Sequence, residues 1–225
     1  MKRAINYEVM VPVSVLLGLT MLFWFTDLDI AIEDLFHSPV DGWVWANSQP
    51  WKFLYDFGVL PAVSIAVLAL VGFIASYGSP KFQNYRKKAL FLVLLMVLGP
   101  GLMVNVIFKD HWGRPRPKQI EQFGGNSTYL PVWCKGTAGQ GKSFPSGHAA
   151  MGFYLIAPFF FLRDQHKRWA TAFLAIGVGY GLLIGLGRMI EGGHFASDVL
   201  WSGGFIYFCG LILNLILLRH RENII

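Results

Sequence analysis

Residues 89–108 read ALFLVLLMVLGPGLMVNVIF, twenty positions without a charged side chain, closed by Lys88 on one side and Lys109 on the other. An α-helix rises ~1.5 Å per residue, so such a run matches a hydrocarbon core about 30 Å thick. Similar uncharged runs cover 9–26, 57–80, 143–162, 169–187 and 199–218. With 54% hydrophobic and 14% charged residues, the chain is too apolar for an ordinary soluble domain. These runs predict an all-α, polytopic membrane protein. Residues 1–225 form one integral-membrane domain, a bundle of six transmembrane helices with an interfacial segment after the first.

Lys2 and Arg3 give the first run a basic start, but no small-residue cleavage site follows Phe25, so a retained first helix is expected. Lys and Arg then collect in alternate connections: Lys2 and Arg3, Lys81 with Arg86–Lys88, Arg163 with Lys167 and Arg168, and Arg219 with Arg221. The positive-inside rule places these, and both termini, in the cytoplasm. Residues 27–56 are acidic by contrast, and Trp43, Trp45 and Trp51 suit the headgroup level. The outer connection 109–142 breaks the rule with Lys109, Arg114, Arg116, Lys118, Lys135 and Lys142. Cations on that side point to an anionic ligand. Membrane orientation accounts for most of the net charge of +6, so no nucleic-acid partner is implied. Cys134 and Cys209 are too far apart along the predicted helices to pair, and two cysteines make no zinc motif.

Gly99-Pro100-Gly101 should kink the third helix, and the glycines at 177, 179, 181, 185 and 187 should let helix backbones pack closely. Four helix ends then carry chemistry at one face: Lys109, Ser146–His148, Arg188 and Asp198. His194 and Asp198 stand four apart, so the carboxylate can accept from one ring nitrogen and leave the other as a nucleophile. Pro145-Ser146-Gly147-His148 opens the fourth helix. Ser146 and Gly147 can meet an anion there, and His148 can protonate a departing oxygen. Lys109, Arg116 and Arg188 can neutralise phosphoryl oxygens, and Arg114, Lys118 and Lys142 are further candidate substrate contacts. The outer face has no carboxylate-rich metal spacing, so no metal or other cofactor is expected. His37, His166 and His220 stand outside the pattern, as surface or interfacial groups.

Lys109 with Arg116-Pro117, Pro145-Ser146-Gly147-His148, and Arg188 with His194 and Asp198 resemble the three linked motifs of the type 2 phosphatidic acid phosphatase family. The spacings agree, although Gly187 stands where that family usually has serine. The resemblance implies a metal-independent phosphatase. His194 would attack phosphorus, Asp198 would orient it, and His148 would protonate the leaving group. Residues 99–124 are also similar to bacterial lipid A 4′-phosphatases, which implies an anionic lipid substrate, an inner-membrane location and a periplasmic site. Undecaprenyl diphosphate, phosphatidylglycerophosphate and phosphatidic acid stay open as substrates, as do a lipid phosphotransferase and an anion transporter. No obligate protein partner is implied.

Overall fold

The run at 89–108 is continuous helix: Arg86–Met96 is α-helical and passes directly into a π-helical stretch, Val97–Lys109. Pro100 has no N–H to donate, and the expected break at Gly99-Pro100-Gly101 takes the form of this wider winding. Asn105 Nδ2 donates to the Pro100 carbonyl at 2.7 Å, satisfying one of the displaced acceptors. The computed structural model describes residues 2–218, with side chains from Tyr7 onward. Arg219, His220 and Arg221, and the side chains of Lys2 and Arg3, lie outside the described residues.

Among the described residues, five helical stretches are long and apolar enough to cross a membrane: Tyr7–Phe25, Trp51–Gly78, Arg86–Gln119, Lys167–Ile190 and Ala196–Leu217. The sixth expected span is shorter and broken, running Gly147–Phe153, a 3₁₀ turn at Tyr154–Ile156, then Ala157–Leu162. Two prolines explain it. Pro145 delays the start, and Pro158 cannot donate back to the Tyr154 carbonyl. Neighbouring helices enclose this segment, so its length is not set by lipid contact. Gly152 packs against Gly181 so closely that a Cβ on Gly152 would lie 2.8 Å from the Gly181 Cα. Tyr154 is buried there and donates its hydroxyl to the Leu92 carbonyl at 2.9 Å. Leu68 and Ile74, 70% and 64% exposed, lie on a face suited to lipid. Cys134 and Cys209 are both free thiols.

The segment after the first helix departs from a purely interfacial reading. Helix Leu28–Asp34 turns inward, and Asp29 and Glu33 are completely buried. Trp43 stacks edge-on to Phe123 at 5.4 Å and only Trp45 is largely exposed among the three tryptophans expected at the headgroups. His37 is not a free surface group either, since it packs on both Trp43 and Phe123 at 5.2 and 5.1 Å.

The long connection 110–146 is pinned by aromatic packing. Trp112, Trp133 and Phe144 meet one another at 5.1–5.5 Å, and Phe108 stacks on Phe205 at 4.6 Å. The two ends of the connection are joined by Ser143 N–H donating to the Arg114 carbonyl at 3.0 Å. Packing of these rings holds the segment that carries Arg114, Arg116 and Ser143 against the end of the bundle.

Candidate active site

His194 lies between Lys167–Ile190 and Ala196–Leu217 and is 1% exposed. Its Nδ1 is 2.5 Å from the Ser143 carbonyl. A carbonyl only accepts, so Nδ1 carries the proton and the lone pair of a neutral ring is on Nε2. Burial first, then the charges of Arg188, Lys109 and Arg116, push the His194 pKa well below the usual imidazole range. The same three cations lie within electrostatic reach of His148. Lys109, Arg116, Arg188, His148 and His194 are therefore gathered at one end of the bundle.

The direct hydrogen bond expected between His194 and Asp198 is absent. Asp198 Oδ2 stands 3.9 Å from His194 Nδ1. Asp198 instead accepts from Ser143 Oγ and Arg114 Nη1, both at 2.5 Å, and from the Phe195 N–H at 2.9 Å. The last of these caps the start of helix Ala196–Leu217. Ser143 thus links the carboxylate to the imidazole, with its hydroxyl on one and its carbonyl on the other.

Arg114 is a second correction. It is fully buried, with no surface open to a ligand. Its guanidinium bridges Asp198 and Asp29, at 2.5 and 2.8 Å, and lies 4.5 Å over the Phe195 ring. Asp29 also accepts from the Ser197 N–H at 3.0 Å and from the Ser197 hydroxyl. Glu33, one helical turn from Asp29, is buried with neither carboxylate oxygen hydrogen-bonded. Burial, then Asp29 and Asp198, raise its pKa well above the usual carboxylate value, which favours the protonated form beside the pair.

Lys142 and Lys118 sit farther out. Lys142 pairs with Asp110 at 2.9 Å, both about half exposed. Lys118 is exposed, and its N–H donates to the Gly192 carbonyl at 3.1 Å. Ser146 Oγ accepts from the Ala149 N–H at 3.4 Å, capping its helix while its own proton stays available. Gly147 is buried, and a Cβ there would lie 2.7 Å from Asn105 Oδ1 and 3.3 Å from Lys109 Nζ. Only glycine lets those two side chains close over the helix start. Among the described residues no group of three or more His, Cys, Asp or Glu is arranged to hold a metal ion.

Four residues near the site went unread in sequence. Ser143 and Asp29 act through contacts 51 and 168 positions away, and no local pattern announces them. Tyr55 stacks on His148 at 5.1 Å with 13° between planes, and the Arg188 guanidinium lies 4.6 Å over the same ring. Glu191 ion-pairs with Arg188 at i,i+3, a spacing that was legible.

The PAP2 superfamily profile matches residues 88–223. The chain is 33% identical over 218 residues to a lipid A 4′-phosphatase of Francisella tularensis subsp. novicida, covering 92% of this chain and 97% of the relative. It is 32% identical over 233 residues to a lipid A 4′-phosphatase of Rhizobium etli, covering 90% and 89%. A phosphatidylglycerophosphatase B of Bacillus subtilis is 29% identical over 147 residues, covering 62% of each chain. No solved structure matches at a significant level. With the motif residues gathered around His194 and the profile spanning most of the chain, this protein belongs to the PAP2 superfamily and is a membrane phosphatase, a phosphoric monoester hydrolase.

Proposed function

We propose that this protein is a metal-independent phosphatase of the bacterial inner membrane that removes the 4′-phosphate of lipid A through a phosphohistidine on His194. The observation that carries the chemistry is the commitment of His194 Nδ1 to the Ser143 carbonyl, which leaves Nε2 free among three cations. Nε2 attacks phosphorus, and the bond from phosphorus to the ester oxygen breaks. The departing alkoxide takes a proton from His148, a step worth typically ~10²–10⁴ in rate. Water then attacks the phosphoimidazole while His148 takes its proton, releasing phosphate and restoring His194. Lys109, Arg116 and Arg188 neutralise the equatorial oxygens throughout, the part a divalent ion plays elsewhere. Ser146 and Gly147 line the phosphoryl position.

Substrate and sidedness rest on separate support. Two relatives that this chain covers nearly end to end are named lipid A 4′-phosphatases. The basic connections at 81–88 and 163–168 lie at the opposite end of the helices from His194, which under the positive-inside rule supports a periplasmic site and cytoplasmic termini. No nucleic acid or obligate protein partner enters the scheme.

Purified protein given lipid A, undecaprenyl diphosphate, phosphatidylglycerophosphate and phosphatidic acid should release phosphate from lipid A at the highest kcat/KM, with the product identified by mass. Preference for another lipid would replace the substrate and leave the phosphatase standing. Rapid acid-free quenching should trap an acid-labile phosphoprotein that His194→Ala lacks. In intact cells, a cysteine at exposed Asn126, in a Cys134→Ser background, should react with an impermeant thiol reagent. Reaction only after permeabilisation would reverse the orientation.

A further inference from the structure

Beside the phosphoryl position lies a polar recess of about 210 Å³, lined by Ala46, Asn47, Lys52, Tyr55, Lys118 and Glu191. Two of these residues tie it to the site. Tyr55 stacks face to face on His148, and Glu191 holds Arg188. His148 is the group that hands a proton to the departing oxygen in the scheme above, so the leaving group departs on the Tyr55 side. We propose that this recess is the leaving-group subsite and that it receives the hydroxylated sugar ring bearing the scissile phosphate, an inference that rests on the lipid A reading.

Its lining suits a sugar better than a second anion. Lys52 is already paired with Asp56 at 3.4 Å, and Glu191 with Arg188, so most of the charge is internally compensated. What remains is a mixture of donors and acceptors (the Asn47 amide, the Lys118 ammonium, the outer edge of the Glu191 carboxylate) around one aromatic face. Convergent polar groups beside an aromatic ring fix the orientation of a polar ligand. The volume is below that of a drug-sized pocket and fits one ring, not a whole lipid. Acyl chains remain in the bilayer.

The origin of the recess matters as well. The family profile begins at residue 88, whereas Ala46, Asn47, Lys52 and Tyr55 precede it, around the start of the helical stretch Trp51–Gly78. Four of the six lining residues thus lie outside the profile, while Lys118 and Glu191 lie within it. Substitution at Ala46, Asn47 or Lys52 can reshape the recess without removing the contacts that Tyr55 makes to His148 and Arg188.

Steady-state kinetics of Asn47→Ala and Lys118→Ala test this on lipid A, phosphatidic acid and p-nitrophenyl phosphate, of which only the first has a sugar as leaving group. Loss of one hydrogen bond should lower kcat/KM for lipid A roughly tenfold, mainly through KM, with a several-fold smaller loss on the other two. Lys118→Arg should recover much of the lipid A activity. As a binding readout, the thiol of Asn47→Cys should be protected from a thiol reagent by dephosphorylated lipid A and not by diacylglycerol. Equal losses on all three substrates, or no loss on lipid A, would overturn the subsite. Wild-type protein that hydrolyses phosphatidic acid but not lipid A would instead remove the substrate reading, and the sugar ligand with it.

Discussion

Asp198 reaches His194 only through Ser143, whose hydroxyl donates to the carboxylate while its carbonyl accepts the imidazole Nδ1–H. The carboxylate and the ring are 3.9 Å apart, beyond a hydrogen bond. Ser143→Ala keeps the carbonyl but strips the hydroxyl, so the His194 tautomer survives with a loosened support. kcat should fall while KM moves little, and stability should drop by about 1–3 kcal/mol, the range for a lost bond to a charged group. Asp198→Asn removes half the counter-charge of buried Arg114 and should cost more, about 3–5 kcal/mol. Denaturant unfolding in detergent beside steady-state kinetics checks both. A Ser143→Ala enzyme indistinguishable from wild type would remove the link.

The pH profile should report the cations around His194. Burial and Arg188, Lys109 and Arg116 disfavour the imidazolium, so the ring stays neutral to well below its ordinary range. Removing one positive charge, as in Arg116→Gln, lets the pKa rise and shrinks the neutral fraction on the acid side. The acid limb of kcat/KM should therefore move to higher pH than in wild type. Comparing both enzymes on one substrate cancels the ionisation of the substrate phosphate.

Glu33 should penalise stability as pH rises. Its pKa is raised in the folded protein by burial and by Asp29 and Asp198, so the folded state holds a proton that the unfolded chain releases above ~4.3. Stability is intact below that value and declines as pH climbs toward the folded pKa. Glu33→Gln keeps the shape without the titration. Its Tm advantage over wild type should be small at pH 5 and larger at pH 7.5, and a pH-independent difference would refute the account.

Glu191 occupies the guanidinium that the phosphate must use. In Glu191→Gln, Arg188 is released more readily. Vanadate, which mimics the five-coordinate phosphorus, should inhibit at several-fold lower concentration in this variant than in wild type. Chelator should leave the activity of both intact, and rescue of a chelated enzyme by a divalent ion would overturn the metal-independent mechanism.

Gly187 departs from the family serine, and the structure has room for one. A Cβ there would meet the Trp51 Cε3 at 3.7 Å, an ordinary contact. Helix Lys167–Ile190 should gain a few tenths of a kcal/mol, ~0.5, from Gly187→Ser by propensity alone. Activity should be retained, and loss of either would show that Trp51 needs the gap.

The six apolar runs and the family motifs were legible in the chain itself, because burial in lipid and spacing on a helix are local properties of sequence. The fold brings Lys109, Arg116, His148, Arg188 and His194 within electrostatic reach of one another, which nothing in the linear sequence forces. Tertiary structure alone decided the partners. Arg114 looked like an exposed loop cation, yet aromatic packing of its loop drives it under the site, where two carboxylates compensate its burial. Asp29 looked like an interfacial acid, and it became the far end of that same pair. Asp198, four residues from His194, was captured by Arg114 and Ser143 instead. Spacing along one turn makes a contact available, but competition among donors from distant segments chooses which contact forms.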